Sequence, residues 1–167
     1  MTPRVLAIDT TSETGSLALL EGDTVIGEEA VDAPDGFAHV LFDRIGALLE
    51  SRGWRVSEID CFAAAAGPGS YTGVRVGLTA VKGLAETTGM RVAAVSTLAA
   101  LAWYGAAPLR APVLDSGRGD VFGALYDDAG ALVAGEVAAA PRDWISALDP
   151  GVEFVTVAPE WWRSLAG

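Results

Sequence analysis

The chain opens with short apolar runs divided by polar breaks. Arg4–Asp9 (RVLAID) ends on an acid, Thr10 to Gly15 is polar, and Ser16–Leu20 (SLALL) is apolar again, which predicts a β-hairpin. Glu21-Gly22-Asp23 then turns into a third strand, Thr24–Val31. Past Pro34-Asp35-Gly36 the period changes. Phe37, Val40, Leu41, Ile45, Leu48 and Leu49 recur at helical spacing up to Gly53, which predicts a first helix stopped by glycine. Cys61–Ala66 (CFAAAA) reads as a buried strand running into the tight loop Gly67-Pro68-Gly69, although alanine is a poor strand former and only the context selects a strand. Thr72 is placed to cap a second helix reaching Thr88, with Gly89 ending it. A further buried strand, Arg91–Val95, and a third helix capped by Ser96 or Thr97 complete the order β-β-β-α-β-α-β-α. Such an order implies a mixed sheet with helices, an α/β fold.

From Pro112 the pattern restarts. A strand Val113–Asp115, a Ser-Gly-Arg-Gly turn, a strand Val121–Tyr126, a turn at Asp127-Asp128-Ala129-Gly130 and a strand Leu132–Val137 echo the beginning of the chain. A short helix over Pro141–Leu148, a strand Glu153–Val157 and a helical turn from Pro159 follow. This second unit is too small to bury a large core alone.

Composition narrows the function. At 167 residues, 51% hydrophobic and 20% charged, the chain can bury a core. One Cys and one His supply neither an internal disulfide nor a usual zinc site. Acidic residues number 22 against 11 basic ones, of which only Lys82 is lysine, and the net charge of −11 argues against unaided nucleic-acid binding. Val92–Leu109 carries no charge, but Ser96, Thr97, Gly105 and Pro108 interrupt it, so a buried strand and a capped helix are expected there rather than a membrane span. Asp9 arrives before any apolar segment of signal-peptide length, and a cytoplasmic location is the expectation.

The richest segment for chemistry is Ala66–Ala85, AGPGSYTGVRVGLTAVKGLA. Gly67, Gly69 and Gly73 allow close backbone approach, and a helix entry points free N–H groups toward an anion; a plain strand-to-helix turn explains the same residues. On a helical wheel the segment has two apolar faces. Val74, Leu78, Val81 and Ala85 form one, Gly73, Gly77, Ala80 and Leu84 the other, and Arg75, Thr79, Lys82 and Glu86 make a narrow polar strip. The small-residue face is expected to meet another helix, from this chain or a partner, so that Gly77→Leu would block that contact and spare the fold. His39 is expected to pair with Asp43 one turn on, and Cys61 to be a buried small hydrophobe. Asp9 and Asp115 end two analogous strands, where each could hold a metal-bound water or cap a turn. Arg118-Gly119-Asp120 matches an adhesion motif by chance composition.

VLAIDTTSETGSLAL, AGPGSYTGVRVGLTAVKGLA, VSTLAALA and DSGRGDVFGALY stand in the order and spacing of the bacterial TsaB (YeaZ) family, and the chain resembles it closely from Val5 to about Ala106 and well through Tyr126. The resemblance implies an actin-like, Hsp70-like ATPase (ribonuclease H-like) fold of two related lobes, 1–106 and a shortened 107–167. It implies a noncatalytic subunit in the synthesis of threonylcarbamoyladenosine in tRNA. TsaD, the family's catalytic paralogue, carries a His-x-x-x-His metal motif, and Thr97 and Leu101 stand where its two histidines would be. Neither can replace an imidazole. No catalytic or metal-binding residue is therefore expected here, and no peptidase activity from Cys61 and His39.

By the same resemblance the chain docks a TsaD-type paralogue through its first two long helices, the pair recruits a TsaE-type ATPase, and some members form homodimers through the same surface. Carried onto this chain, the interface is Phe37, Val40, Leu41, Arg44 and Leu48 with Thr72, Gly73, Val76, Gly77, Ala80 and Leu84. tRNA is met only through the complex, and no membrane is involved. No cofactor is expected on the isolated chain. ATP and Mg²⁺ at the complex interface would bring Asp9, Thr10, Gly67, Gly69, Ser70 and Asp115 near nucleotide. The alternative is a stand-alone actin-like ATPase or small-molecule kinase that uses Asp9 and Asp115 with Mg-ATP.

Overall fold

The computed structural model describes residues 2–166 and divides into two compact units, Met1–Val95 and Ser96–Gly167. In the first, β1 (Arg4–Asp9), β2 (Thr14–Glu21), β3 (Thr24–Asp32), β4 (Cys61–Ala65) and β5 (Arg91–Val95) form one sheet in the order β3-β2-β1-β4-β5. β1, β2 and β3 are antiparallel, while β4 runs parallel to both β1 and β5. Strict alternation puts Leu6, Ile8, Leu17, Leu19, Phe62 and Ala64 on one face, all buried. That face packs on α1 (Leu41–Ser51) through Leu41, Ile45, Leu48 and Leu49, and on α2 (Tyr71–Thr88) through Ala80, Val81 and Ala85.

The alanine-rich β4 is a strand because both its edges are occupied. Ala63 faces Ala7 on one side and Ala93 on the other, and backbone pairing overrides the weak local preference. The first helix is interrupted. A 3-10 turn, Phe37–His39, precedes α1, and the chain passes between them at Val40, with φ −116° and ψ −20°. The turn buries the Phe37 ring so tightly on β2 that a Cβ at Gly15 would lie 2.5 Å from it. The cap of α2 is Ser70 rather than Thr72, its Oγ accepting from Gly73 N at 3.3 Å, and the expected Gly89 stop is present at φ 72°. β5 lies at the sheet edge with Val92 and Val95 each 41% exposed, so it is not the buried strand that its composition suggests.

The second unit repeats the plan. β6 (Leu109–Asp115), β7 (Val121–Asp127), β8 (Leu132–Ala139) and β9 (Glu153–Val155) make a sheet in the order β8-β7-β6-β9, with β6, β7 and β8 antiparallel and β9 parallel to β6. α4 (Pro141–Ser146) precedes β9 and α5 (Pro159–Ala166) follows it, as α1 and α2 do with β4. The boundary falls earlier than the 106/107 division read from the sequence. α3 (Thr97–Ala102), capped by Ser96, packs Leu98 and Ala102 against Ala124 and Tyr126, so it belongs with the second unit. Trp144 lies across Gly123, where a Cβ would come within 2.5 Å of the indole, and Trp162 packs on Phe154 with ring centroids 4.9 Å apart and the planes tilted by 45°.

Glu153 fastens the entry to this sheet. Its Oε2 accepts from Ala106 N at 2.6 Å and Ala107 N at 2.7 Å. These backbone donors, Ala107 first, hold the carboxyl below the ordinary 4.5. The ionised form is thus favoured by folding, and its contribution is present above the unfolded value and lost as the pH falls through the lower folded one. Glu153→Gln is expected to lower the melting temperature at pH 7, with the gap to wild type closing as the pH is taken below 4.5 in thermal melts.

Candidate functional site

The glycine loop and the first β-turn are built onto each other. Asp9 ends β1, and its Oδ1 accepts from Thr11 N at 2.8 Å and Thr11 Oγ1 at 2.7 Å, which folds Thr10-Thr11 back over the sheet end. The buried Thr10 hydroxyl then donates to Gly73 O at 2.8 Å, and Ser70 N donates to Thr11 O at 2.7 Å. Gly67, at φ 96°, turns the chain out of β4 in a conformation that side chains rarely adopt, and the Gly67–Pro68 peptide is cis.

The glycines face this turn. A Cβ at Gly69 would lie 2.6 Å from Thr11 O, one at Gly73 1.8 Å from Thr10 O, and one at Gly77 2.6 Å from Thr10 Oγ1. The close backbone approach expected of the loop is therefore made to the chain's own β-turn, and the faces of Gly69 and Gly73 are filled. The same contacts correct the reading of α2: the Gly73 and Gly77 face is turned into the sheet, not toward a partner helix. A leucine at Gly77 would disrupt this unit itself.

What α2 leaves open is a different stripe. Thr72, Arg75, Val76, Thr79 and Ala80 form one wall of a groove of about 430 Å³, and Ala38, Leu41 and Phe42 form the other. The groove is mostly apolar, and Phe42 at its edge is 58% exposed. Tyr71, 75% exposed, stands at the start of α2 with the Arg75 guanidinium 5.4 Å from its ring centroid. Of the interface residues carried over from the family, Leu41, Thr72, Val76 and Ala80 line this groove. Phe37 and Leu48 are buried in the unit's own core, and Val40 and Leu84 pack half-buried against it. Arg44 is exposed and ion-paired with Glu29 at 2.7 Å. Ala38, Phe42, Arg75 and Thr79 lie within the two segments expected to dock, Phe37–Arg52 and Thr72–Glu86, but were not among the residues singled out for the interface. The available signal was Phe42 beside Leu41: two adjacent apolar residues cannot both point into the core from one helix.

The remaining candidates are scattered. Asp115 caps its own turn, its Oδ1 accepting from Gly117 N at 2.7 Å, as Asp9 does in the first unit. Arg118-Gly119-Asp120 sits exposed in the loop between β6 and β7. His39 is exposed and, among the described residues, makes no ion pair with Asp43. Cys61 is half-buried at the start of β4 rather than fully enclosed, and no hydrogen bond joins it to His39. Leu101 is buried, and the buried Thr97 Oγ1 has no hydrogen-bond partner. Beside them Glu136 accepts from the Ser96 hydroxyl and from Tyr126 Oη, and burial pushes the Tyr126 hydroxyl up. Among the described residues no three His, Cys, Asp or Glu side chains cluster as metal ligands, and no helix is long and apolar enough to cross a membrane.

The turn-to-helix contact has a direct test. Gly73→Ala is expected to cost about 3 kcal/mol or more, because the overlap is with backbone that cannot yield cheaply. Thr10→Val, which removes one buried hydrogen bond, is expected to cost about 1 kcal/mol. Urea denaturation of both variants measures the difference.

Residues 32–156 match the family described as TsaD, tRNA N6-adenosine threonylcarbamoyltransferase. The tRNA threonylcarbamoyladenosine biosynthesis protein TsaB of Bacillus subtilis is 37% identical over 124 residues, which are 73% of this chain and 54% of that protein. The chain thus spans about half the length of the curated relatives it matches. The solved structure of YeaZ from Pseudomonas aeruginosa superposes with a TM-score of 0.76 at 32% identity, covering 83% of this chain and 68% of that one. An activator of 2-hydroxyisocaproyl-CoA dehydratase from Clostridium difficile, solved with bound ADPNP, superposes at a TM-score of 0.51 with 16% identity over 89% of this chain and 53% of that one, a likeness of fold alone. With its duplicated sheet order, its glycine loop closed on the first β-turn and these matches, the chain has the actin-like ATPase fold and belongs to the TsaD family, on its TsaB (YeaZ) branch.

Proposed function

We propose that the chain serves tRNA threonylcarbamoyladenosine synthesis as a noncatalytic subunit that docks a TsaD-type paralogue and helps recruit a TsaE-type ATPase. The observation that carries this reading is the open apolar groove between Ala38–Phe42 and α2, edged by an exposed Phe42. An exposed aromatic beside a concave apolar stripe is the composition of a protein contact rather than of a solvated helix face. The net charge of −11 fits a subunit that leaves tRNA to its partner.

Thr97 and Leu101 offer no imidazole, and the candidate acids Asp9 and Asp115 each accept through Oδ1 from their own turn. The stand-alone ATPase reading rests on those same two acids.

Light scattering after size-exclusion chromatography is expected to give a one-to-one species of the chain with a TsaD-type paralogue from the same organism. Phe42→Ala should weaken that association by about 2 kcal/mol, near thirtyfold, since exposed aromatic anchors dominate such contacts. Its own unfolding free energy should change by less than about 0.5 kcal/mol, because Phe42 is a surface residue. Wild-type affinity for Phe42→Ala would remove the groove from the interface.

A further inference from the structure

The outer strands of a sheet carry free backbone groups that invite another strand, and proteins guard them with charge, bulges or brevity. Here the outer strands are guarded unequally. β3 carries Glu28, Glu29 and Asp32 and slips register against β2 at Leu19/Leu20. β8 slips register twice against β7, and β9 is three residues long. β5 has no acid and no bulge. It keeps unbroken register with β4 from Cys61↔Arg91 to Ala65↔Val95, and its exposed Val92 and Val95 lie on opposite faces.

The backbone determines what fits this edge. The Val95 carbonyl accepts from Ala66 N at 2.8 Å, so the N–H and C=O groups of Arg91, Ala93 and Val95 turn toward β4, and those of Val92 and Ala94 point away from the sheet. We propose that the β5 edge joins two copies of this chain, antiparallel, about a two-fold axis level with Ala93. In that register Val92 of each copy stands opposite Ala94 of the other and exchanges both backbone hydrogen bonds with it, which pairs every outward group of the two residues. Ala93 meets Ala93 of the second copy in the pair without hydrogen bonds, where side chains approach most closely and a methyl group fits. Arg91, the one charge in the strand, faces Val95 of the second copy rather than another arginine.

The ground beside the strand suits such a contact. A groove of about 610 Å³ opens there, lined by Lys82, Ala85, Glu86, Gly89, Met90 and Val92. Lys82 and Glu86 take part in none of the ion pairs found among the described residues, so a second copy can offer each the opposite charge. With Arg91 they leave the edge one cation in excess, and two chains of charge −11 meet on ground that is not itself acidic. The groove at Phe42 and this edge share no lining residue, so docking there and pairing at β5 are separable.

A pairing of this size is weak, and sedimentation equilibrium of the full chain up to about 1 mM is expected to show a monomer–dimer equilibrium. Ala94→Pro removes an outward N–H without costing a bond to β4, and should weaken the dimer about tenfold or more while the diluted monomer melts near the wild-type temperature. Val95→Lys, which sets a cation opposite Arg91, should weaken it about fivefold, and Val95→Glu should tighten it by a similar factor. Net charge alone predicts the reverse order, because lysine lowers and glutamate raises the repulsion between two acidic chains.

A chain that stays monomeric throughout overturns the proposal. So does a dimer that Ala94→Pro leaves intact, or one in which the two Val95 variants act equally or in the reverse order. If Ala94→Pro does not fold, the Val95 variants decide. Dissociation by Phe42→Ala with no response to Ala94→Pro or to either Val95 variant would put the dimer at the α1 and α2 groove and overturn the assignment to β5.

Discussion

Two threonines hold the first unit in register. Thr10 and Thr11 follow β1, and from them run the hydrogen bonds that fix α2: Thr10 Oγ1 to Gly73 O, and Ser70 N to Thr11 O. Asp9 Oδ1 holds Thr11 from the other side, accepting from its N–H and its hydroxyl. The arrangement requires glycine at 69, 73 and 77, because the turn's backbone and hydroxyl occupy the space a Cβ would fill. The most distinctive stretch of the sequence is therefore first a packing solution. It seats an 18-residue helix close enough to the sheet for alanines and one valine to fill the gap.

This closeness decides which face of α2 is free. A helix pressed onto a sheet by glycines exposes the stripe opposite them, and here that stripe carries Thr72, Arg75, Val76 and Thr79. Methyl-bearing and small side chains keep the wall shallow, and Leu41 and Phe42 raise the other wall. The charges of the unit are kept elsewhere, as in the Arg44–Glu29 pair and in Arg4, which bridges Glu21 and Glu58.

Much of this was legible in the chain. The hairpin, the third strand, the change to helical period after Gly36 and the Gly89 stop follow from local pattern, and the restart of the strand-turn-strand pattern at Pro112 announced the second unit. Membership of the TsaB (YeaZ) branch was carried by the glycine segment. What periodicity could not supply was direction. α2 has apolar residues on two faces, and a wheel shows faces without showing which lies inward; the Cβ-to-backbone overlaps at Gly73 and Gly77 settle that. The 3-10 turn at Phe37 was hidden for a similar reason, since Phe37 keeps the helical spacing while its ring answers to Gly15, which is remote in sequence.

Both walls of the groove hang from a single hairpin. Thr10 and Thr11 between β1 and β2 set the position of α2, and Gly15, a few residues on in β2, receives the Phe37 ring that leads into the other wall. The width of the trough is accordingly a fixed dimension of the β1–β2 hairpin, like the gap of a calliper riveted at one end. A lengthening or shortening of that one polar turn between related chains would change the width of the trough while leaving every residue that lines it the same.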